Sequence, residues 1–282
     1  MKIRDTISWA EDYLNSAGIE DVRYDIELLL SEVLGQKAKS IYIDDRIDMC
    51  RESSDIFKKM IVERRKKKPV EYILGHAFFM GLKFKVNSST LIPRPETEIL
   101  VENTIDFIKG RNGPRILEIG TGCGNICISL AAGCSCNVLS IEKSDAALSV
   151  ARDNAVIHNV SEKVGFMHAD MFNDLDEGYE RFFDCIVSNP PYVSMDQLNT
   201  LPDEVKMEPE IALDGGKDGL VYIDRILKYG PGYINSGGRI FMEIGYDQRH
   251  PLEDRLKMYG YTEYRFIKDY SGIDRIVEII LR

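Results

Sequence analysis

Arg115-Ile-Leu-Glu-Ile-Gly-Thr-Gly-Cys-Gly124 decides the reading of this chain. An Ile/Leu-rich run leads straight into glycines at alternate positions, and Asn125–Ala132 continues with helical character. Glycines after a strand let the backbone turn sharply and approach a ligand closely. The next apolar run, Val138-Leu-Ser-Ile-Glu142, reads as a second strand and ends in a carboxylate 22 positions after Gly120. Val164–His168, Cys185–Ser188, Ile240–Ile244 and Ile276–Leu281 read as further strands, with helical stretches between the first three strands. This alternation predicts an α/β fold with a parallel sheet wrapped by helices.

A carboxylate at the end of the second strand can accept hydrogen bonds from a ribose hydroxyl pair, so loop, helix, strand and Glu142 together point to a nucleoside ligand. The dinucleotide pattern G-x-G-x-x-G would need glycine at position 125, which is Asn125, and no Lys-Ser/Thr follows for a phosphate-cradling loop. Glu118, just before the loop, is expected to repel a pyrophosphate and attract a cation. A cationic nucleoside without phosphate fits best, and S-adenosylmethionine is that ligand.

The strand Phe183-Asp-Cys-Ile-Val-Ser188 runs into Asn189-Pro-Pro-Tyr192. Asn-Pro is ordinary turn chemistry after a strand, but the tetrapeptide arises by chance in a chain of this size about once in a thousand at average composition. It stands where open α/β sheets bind ligands. Methylating an amide or arylamine nitrogen requires acceptors for its N–H groups and a lone pair facing the electrophile. Asn189 offers a side-chain carbonyl and Pro190 a main-chain carbonyl, and consecutive prolines pre-aim both. Tyr192 can stack on a planar group.

The 282 residues carry 36 Lys+Arg against 46 Asp+Glu, a net charge of −10 that disfavours a nucleic-acid binder working by phosphate contacts. Residues 1–68 are neutral, so the excess lies on residues 69–282. The composition shift and Pro69 mark a boundary. Before it, Ile3, Ile7, Ala10 and Leu14 predict one helix, Tyr24 to Leu34 a second, and Ile56, Met60 and Ile61 a third that runs into Arg64-Arg65-Lys66-Lys67-Lys68. That cluster reads either as a solvated helix C-terminus or as a contact for RNA or an acidic partner. Residues 70–92 fit a β-hairpin connector. No apolar run is long enough for a membrane span, and the N-terminus lacks a signal peptide's apolar stretch, so a cytoplasmic protein is expected. The six cysteines read as reduced thiols, and no metal-ligand pattern is seen.

On these residues the sequence resembles the HemK/PrmC family of protein-(glutamine-N5) methyltransferases, which modify peptide chain release factors. The likeness runs through Asp25-Ile-Glu-Leu-Leu-Leu-Ser-Glu-Val-Leu-Gly35, Pro69-Val-Glu-Tyr-Ile-Leu-Gly75, Phe79-Met-Gly-Leu-Lys-Phe84, the glycine loop and Asn189-Pro-Pro-Tyr192. Glu208-Pro209 with Ala212-Leu213, and Asp269-Tyr-Ser-Gly272 with Asp274-Arg275, continue it. Thr90-Leu-Ile-Pro-Arg-Pro-Glu-Thr-Glu98 is its most specific part.

The resemblance implies a class I S-adenosylmethionine-dependent methyltransferase fold, Rossmann-like, with a seven-stranded mostly parallel sheet. It implies a five-helix substrate-recognition domain over 1–68, a hairpin linker over 69–92 and the methyltransferase domain over 93–282. The expected substrate is the glutamine of the Gly-Gly-Gln loop of release factors, and the expected product of the cofactor is S-adenosylhomocysteine. Carried over by position, Gly120, Thr121, Gly122, Cys123, Gly124 and Glu142 bind the cofactor, and Asp170 and Met171 lie beside its adenine. Asn189 touches both ligands, and Asn189, Pro190, Pro191 and Tyr192 grip the glutamine amide. Glu142 stands where the family more often has Asp, and Met171 where some relatives carry Trp.

Two other readings use the same motifs. One is methylation of an exocyclic amine of DNA or RNA, at adenine N6 or guanine N2; the acidic charge speaks against it. The other is a non-catalytic binding module, against which the intact loop and turn speak. A monomer is expected. His168 is the histidine nearest the predicted site, and Cys123 is expected to be there for its size rather than as a nucleophile.

Overall fold

Ile3, Ile7, Ala10 and Leu14 recur at helical spacing and are all buried on one face of α1 (Ile3–Asn15). Gly35, left-handed at φ 63°, closes α2 (Val22–Leu34), as a C-terminal glycine does. In α3 (Arg51–Arg65) the buried face is Ser54, Phe57, Ile61 and Arg64, whereas Ile56 is 43% exposed. The inward face is thus displaced by one position from the apolar pattern through Ile56 and Met60, and an arginine completes it. α4 (Val70–Leu74) follows Pro69, so the hairpin is shorter than the 70–92 pattern suggests: β1 is His76–Phe79 and β2 Leu82–Lys85.

This computed structural model describes residues 2–35 and 48–282. They fall into a helical unit, the described residues up to 76 with 202–207, and a larger unit of residues 77–201 and 208–282. The described residues of the helical unit include the four helices above; any fifth helix over residues 36–47 lies outside the described residues. Its core is a single apolar cluster centred on Leu14, Ile26, Leu29, Leu30, Phe57 and Ile61.

Most of the basic cluster is paired within the helical unit. Arg64 is buried, donating from Nε to Asp25 Oδ2 at 2.6 Å and from Nη2 to Glu204 Oε1 at 2.6 Å. The Arg65 guanidinium lies 4.1 Å from the centre of the Tyr13 ring. Lys66 and Lys68 pair with Glu63, and Lys67 with Asp203. Lys66, Lys67 and Lys68, at 61%, 40% and 40% side-chain exposure, fit the solvated helix end, whereas Arg64 departs from it by turning inward to Asp25.

The larger unit contains a seven-stranded sheet in the order β5-β4-β3-β6-β7-β9-β8. β3 is Arg115–Ile119, β4 Asn137–Glu142, β5 Val164–His168, β6 Phe183–Ser188, β7 Ile234–Glu243, β8 Tyr264–Lys268 and β9 Asp274–Ile280. The first five in that order run parallel, and β9 and β8 add antiparallel. The sequence pattern does not reveal β8, because it is a half-exposed edge strand whose apolar residues do not stand out as a run. Helices α5 (Pro95–Ile108), α6 (Asn125–Gly133), α7 (Asp145–Ile157), α8 (Met195–Leu198), α9 (Val221–Tyr229) and α10 (Arg249–Met258) complete the unit. From β3 the chain moves first to β4 on one side and later to β6 on the other, so β3 and β6 flank the point where strand order reverses. Open α/β sheets bind ligands beyond the carboxyl ends of strands at such a point.

Candidate active site

Register sets the site. Ile119 pairs with Ser188, so the glycine loop after β3 and the Asn-Pro-Pro-Tyr turn after β6 leave the sheet side by side. A Cβ built on Gly120 would lie 3.8 Å from the Asn189 carbonyl oxygen. The Ser188 hydroxyl donates to Ile119 O at 2.7 Å and ties the two strand ends together. A cleft of about 990 Å³, including its open mouth, lies over these ends.

The glycine loop is held by the neighbouring strand. Gly120 and Thr121 donate their N–H groups to Ile141 O, at 2.9 and 3.2 Å. Glu142 takes the Gly122 N–H on one carboxylate oxygen at 3.0 Å and the Ser144 N–H on the other at 2.9 Å. Glu142 thus latches the loop while it faces the cleft. Two of the glycines serve different ends. A Cβ at Gly122, where φ is 55°, would meet nothing within 4 Å, so this glycine's freedom serves the turn. Gly124, at φ 84°, would drive a Cβ to 2.8 Å from Ile128 and 3.3 Å from Ala151, so it permits close packing of α6 against α7.

Gly120, Thr121, Gly122, Glu142, Asp170, Met171, Asn189, Pro190 and Pro191 all line the cleft. Cys123, Gly124 and Tyr192 are not among the lining residues. Cys123 is buried under the loop, and burial pushes its thiol up to about 12, which leaves no thiolate for chemistry. Glu118 also departs from expectation. It is wholly buried beside Ser140, its register partner on β4, which donates to one of its oxygens; the cleft wall does not include it. Strand alternation turns it off the ligand side, so it supports the loop through Ser140, which in turn meets Thr121 Oγ1 at 2.6 Å. Burial raises its carboxyl to about 7.

Asn189 is half-buried and Pro190 buried. Asn189 Nδ2 donates to Thr97 Oγ1 at 3.1 Å, which leaves Oδ1 as the free acceptor of that side chain. The Tyr192 hydroxyl donates to Glu243 Oε1 at 3.2 Å, and the residue is not part of the cleft wall. Gln248 clamps the turn from the opposite side, donating from Nε2 to Tyr192 O at 3.1 Å and to Gly219 O at 2.9 Å. Gly219 is needed there, because a Cβ would stand 2.4 Å from Tyr192 O.

The segment before α5 closes one wall. Thr90, Leu91, Pro93, Arg94 and Thr97 face the cleft opposite Pro209, Ile211 and Ala212. Buried Glu208 joins the two stretches, accepting from Ile92 N at 2.9 Å and from Arg94. Pro95 occupies the first helical position of α5, where its missing N–H costs nothing. Beyond the end of β5, Met171 takes the left-handed conformation at φ 58° and is buried. Partial burial would raise Asp170, but hydrogen bonds from Lys143 and Arg225 outweigh it and hold the carboxyl below its usual range. His168 bonds Lys143 O at 2.8 Å and is absent from the cleft wall.

Thr97, Glu208, Glu243 and Gln248 carry the site's supporting contacts, and nothing in the sequence marks Glu243 or Gln248, while Thr97 lies within the family-like stretch Thr90–Glu98. Glu208 lies within a family-like stretch, but its partners are more than 110 positions away.

Comparison with known proteins agrees with these features. Residues 5–75 match the model of the PrmC N-terminal domain, and residues 111–230 that of a methyltransferase domain. The chain is 35% identical over 282 residues to a release factor glutamine methyltransferase of Clostridium botulinum, covering 99% of each. It is 38% identical over 236 residues to that of Thermodesulfovibrio yellowstonii, covering 82% of each. Among solved structures, the hMettl16 catalytic domain in complex with a MAT2A 3′UTR hairpin has a TM-score of 0.59 at 15% identity, over 84% of this chain and 83% of that one. At that identity the likeness speaks for the fold alone.

Proposed function

This chain belongs to the release factor glutamine methyltransferase family, and from that premise we propose that it transfers the methyl group of S-adenosylmethionine to the side-chain amide nitrogen of the glutamine in the Gly-Gly-Gln motif of release factors. The observation that carries the reading is Asn189 Oδ1 left free as an acceptor beside the glycine loop. Asn189 Oδ1 and the Pro190 carbonyl take the two N–H groups of the glutamine amide. The nitrogen lone pair is then turned toward the sulfonium methyl, and holding both reactants at near-attack distance supplies most of the rate. The N–C bond forms as the sulfonium S–C bond breaks, and the nitrogen, acidified by the incoming methyl, releases one proton to water; no base needs to ionise it beforehand. S-adenosylhomocysteine remains as the cofactor product.

Gly120–Gly122 and Glu142 hold the cofactor in this reading, with the ribose on Glu142 and the purine near Asp170 and Met171. The acidic balance of residues 69–282 and the internally paired basic cluster favour a protein substrate over nucleic acid. A release factor incubated with the enzyme and S-adenosylmethionine is expected to gain one methyl group on the Gly-Gly-Gln peptide, localised by mass spectrometry. No gain on that peptide contradicts the reading.

Glu142→Ala removes a ribose acceptor and the latch on Gly122 together. Hydrogen bonds to a charged group are worth about 1.5–3 kcal/mol, so Kd for S-adenosylmethionine should rise roughly 10- to 150-fold. Calorimetry checks this, and a change under about threefold contradicts the ribose assignment.

A further inference from the structure

The reaction proposed above needs the Asn189 amide one way round, with oxygen toward the substrate N–H and nitrogen away. Asn189 alone does not set that choice, since the two ends of an amide are alike in shape and differ only in donating or accepting.

A buried chain of contacts sets it. Asn189 Nδ2 donates to Thr97 Oγ1 at 3.1 Å, and Thr97 Oγ1 donates to Glu243 Oε2 at 2.6 Å. Tyr192 donates its hydroxyl to the other oxygen, Glu243 Oε1, at 3.2 Å. Thr97 and Glu243 are each 1% exposed, so water does not compete for these groups. A carboxylate has no hydrogen to give. The one hydroxyl hydrogen of Thr97 therefore goes to Glu243, and its oxygen is left able only to accept. Turning the Asn189 amide over would set Oδ1 against a lone pair of Thr97, two acceptors face to face.

We propose that Glu243, acting through Thr97, is a positioning residue that holds the Asn189 side-chain oxygen toward the glutamine amide. This rests on the methyl-transfer reading and adds to the turn two residues outside it, one at the end of β7 and one in the first turn of α5.

A pH dependence follows. Burial raises the Glu243 carboxyl to about 7, against the hydrogen bonds from Thr97 and Tyr192 and the attraction of Arg275 on β9, while Glu96 on α5 adds to the rise. As pH falls through that value, Glu243 gains a proton that it can donate to Thr97. The Thr97 hydrogen is then free to point at Asn189, the amide turns over, and the acceptor is lost. Activity thus needs ionised Glu243 and falls on the acid side.

The test measures kcat against pH on a release factor for the wild type, Glu243→Gln, Thr97→Ser and Thr97→Val, with the cofactor Kd and Tm of each. Wild-type kcat should fall about tenfold between pH 8 and pH 6, as titration of one group near 7 requires. Glu243→Gln, which can donate where the carboxylate cannot, should lose at least about tenfold in kcat at pH 8 and flatten the acid limb. Glu118 titrates in the same range and is untouched, so the difference between the two profiles belongs to Glu243. Thr97→Ser should retain more activity than Thr97→Val at similar cofactor affinity, which answers the case in which Glu243→Gln fails to fold. Full kcat and an unchanged acid limb in Glu243→Gln, or equal losses in Thr97→Ser and Thr97→Val, would overturn the assignment. A wild-type enzyme that labels no release factor overturns the methyl-transfer reading as well, so the two failures are distinct.

Discussion

Asn189→Ala is expected to lower kcat on a release factor by roughly 30- to 1,000-fold with S-adenosylmethionine saturating, the about 2–4 kcal/mol that a preorganised group at the reacting centre commonly contributes. The substitution removes the one side-chain acceptor that the site aims at the substrate, and it leaves the Pro190 carbonyl in place. Because the amide must be held in line with the methyl group, the loss appears chiefly in kcat and not in substrate KM. Asn189→Asp should not rescue it. A carboxylate cannot donate to Thr97 Oγ1 as Nδ2 does, so an acceptor would face an acceptor at the rear of the side chain. Single-turnover rates of the two variants check this, and near-wild-type turnover in either contradicts the role given to the turn.

Arg64→Ala is expected to destabilise the helical unit by about 3 kcal/mol, near the lower end for breaking a buried ion pair by removing one partner. Arg64 has a side chain only 4% exposed, and Asp25 is 12% exposed, so the pair has left water almost completely. Glu204, at 40%, keeps enough solvent that its share is small. Burial already raises the Asp25 carboxyl, with the Arg64 hydrogen bond and charge opposing the rise. Without Arg64 the carboxyl can take a proton instead of remaining charged in the interior, which keeps the loss from reaching the upper end of the range. Replacing the pair together, Arg64→Met with Asp25→Leu, should recover most of the stability. Denaturant melts of the three proteins decide it, and a loss under about 1 kcal/mol for Arg64→Ala would mean that the pair is weakly coupled.

The glycine loop is legible in the sequence because backbone geometry leaves a mark on composition. Gly120, Gly122 and Gly124 all have positive φ, where other residues are strained. The turn at Asn189 is legible for the same kind of reason, since two prolines declare where a chain must stay extended. What composition does not show is which way each side chain faces. Glu118 precedes the loop as a ligand-binding carboxylate would, yet strand alternation turns it toward Ser140. Tyr192 belongs to the turn but spends its hydroxyl on Glu243.

The supporting residues are illegible because their partners are distant in the chain. Thr97 meets Glu243 across 146 positions, and Gln248 reaches Tyr192 across 56. Residues 202–207 fall within the 93–282 stretch expected to be the methyltransferase domain, yet they group with the helical unit, where Asp203 and Glu204 pair with Lys67 and Arg64. The same pairs show why a run of five basic residues misleads: charge in a sequence says nothing about which acids fold back onto it.

The most direct measurement follows labelled methyl from S-adenosylmethionine into a purified release factor, its glutamine-to-alanine variant at the Gly-Gly-Gln motif, and matched DNA and RNA. Label entering the factor and vanishing with the glutamine is the expected result. Label entering only nucleic acid would contradict the account, leaving the Asn189 turn as an amine-methylating site with a different substrate.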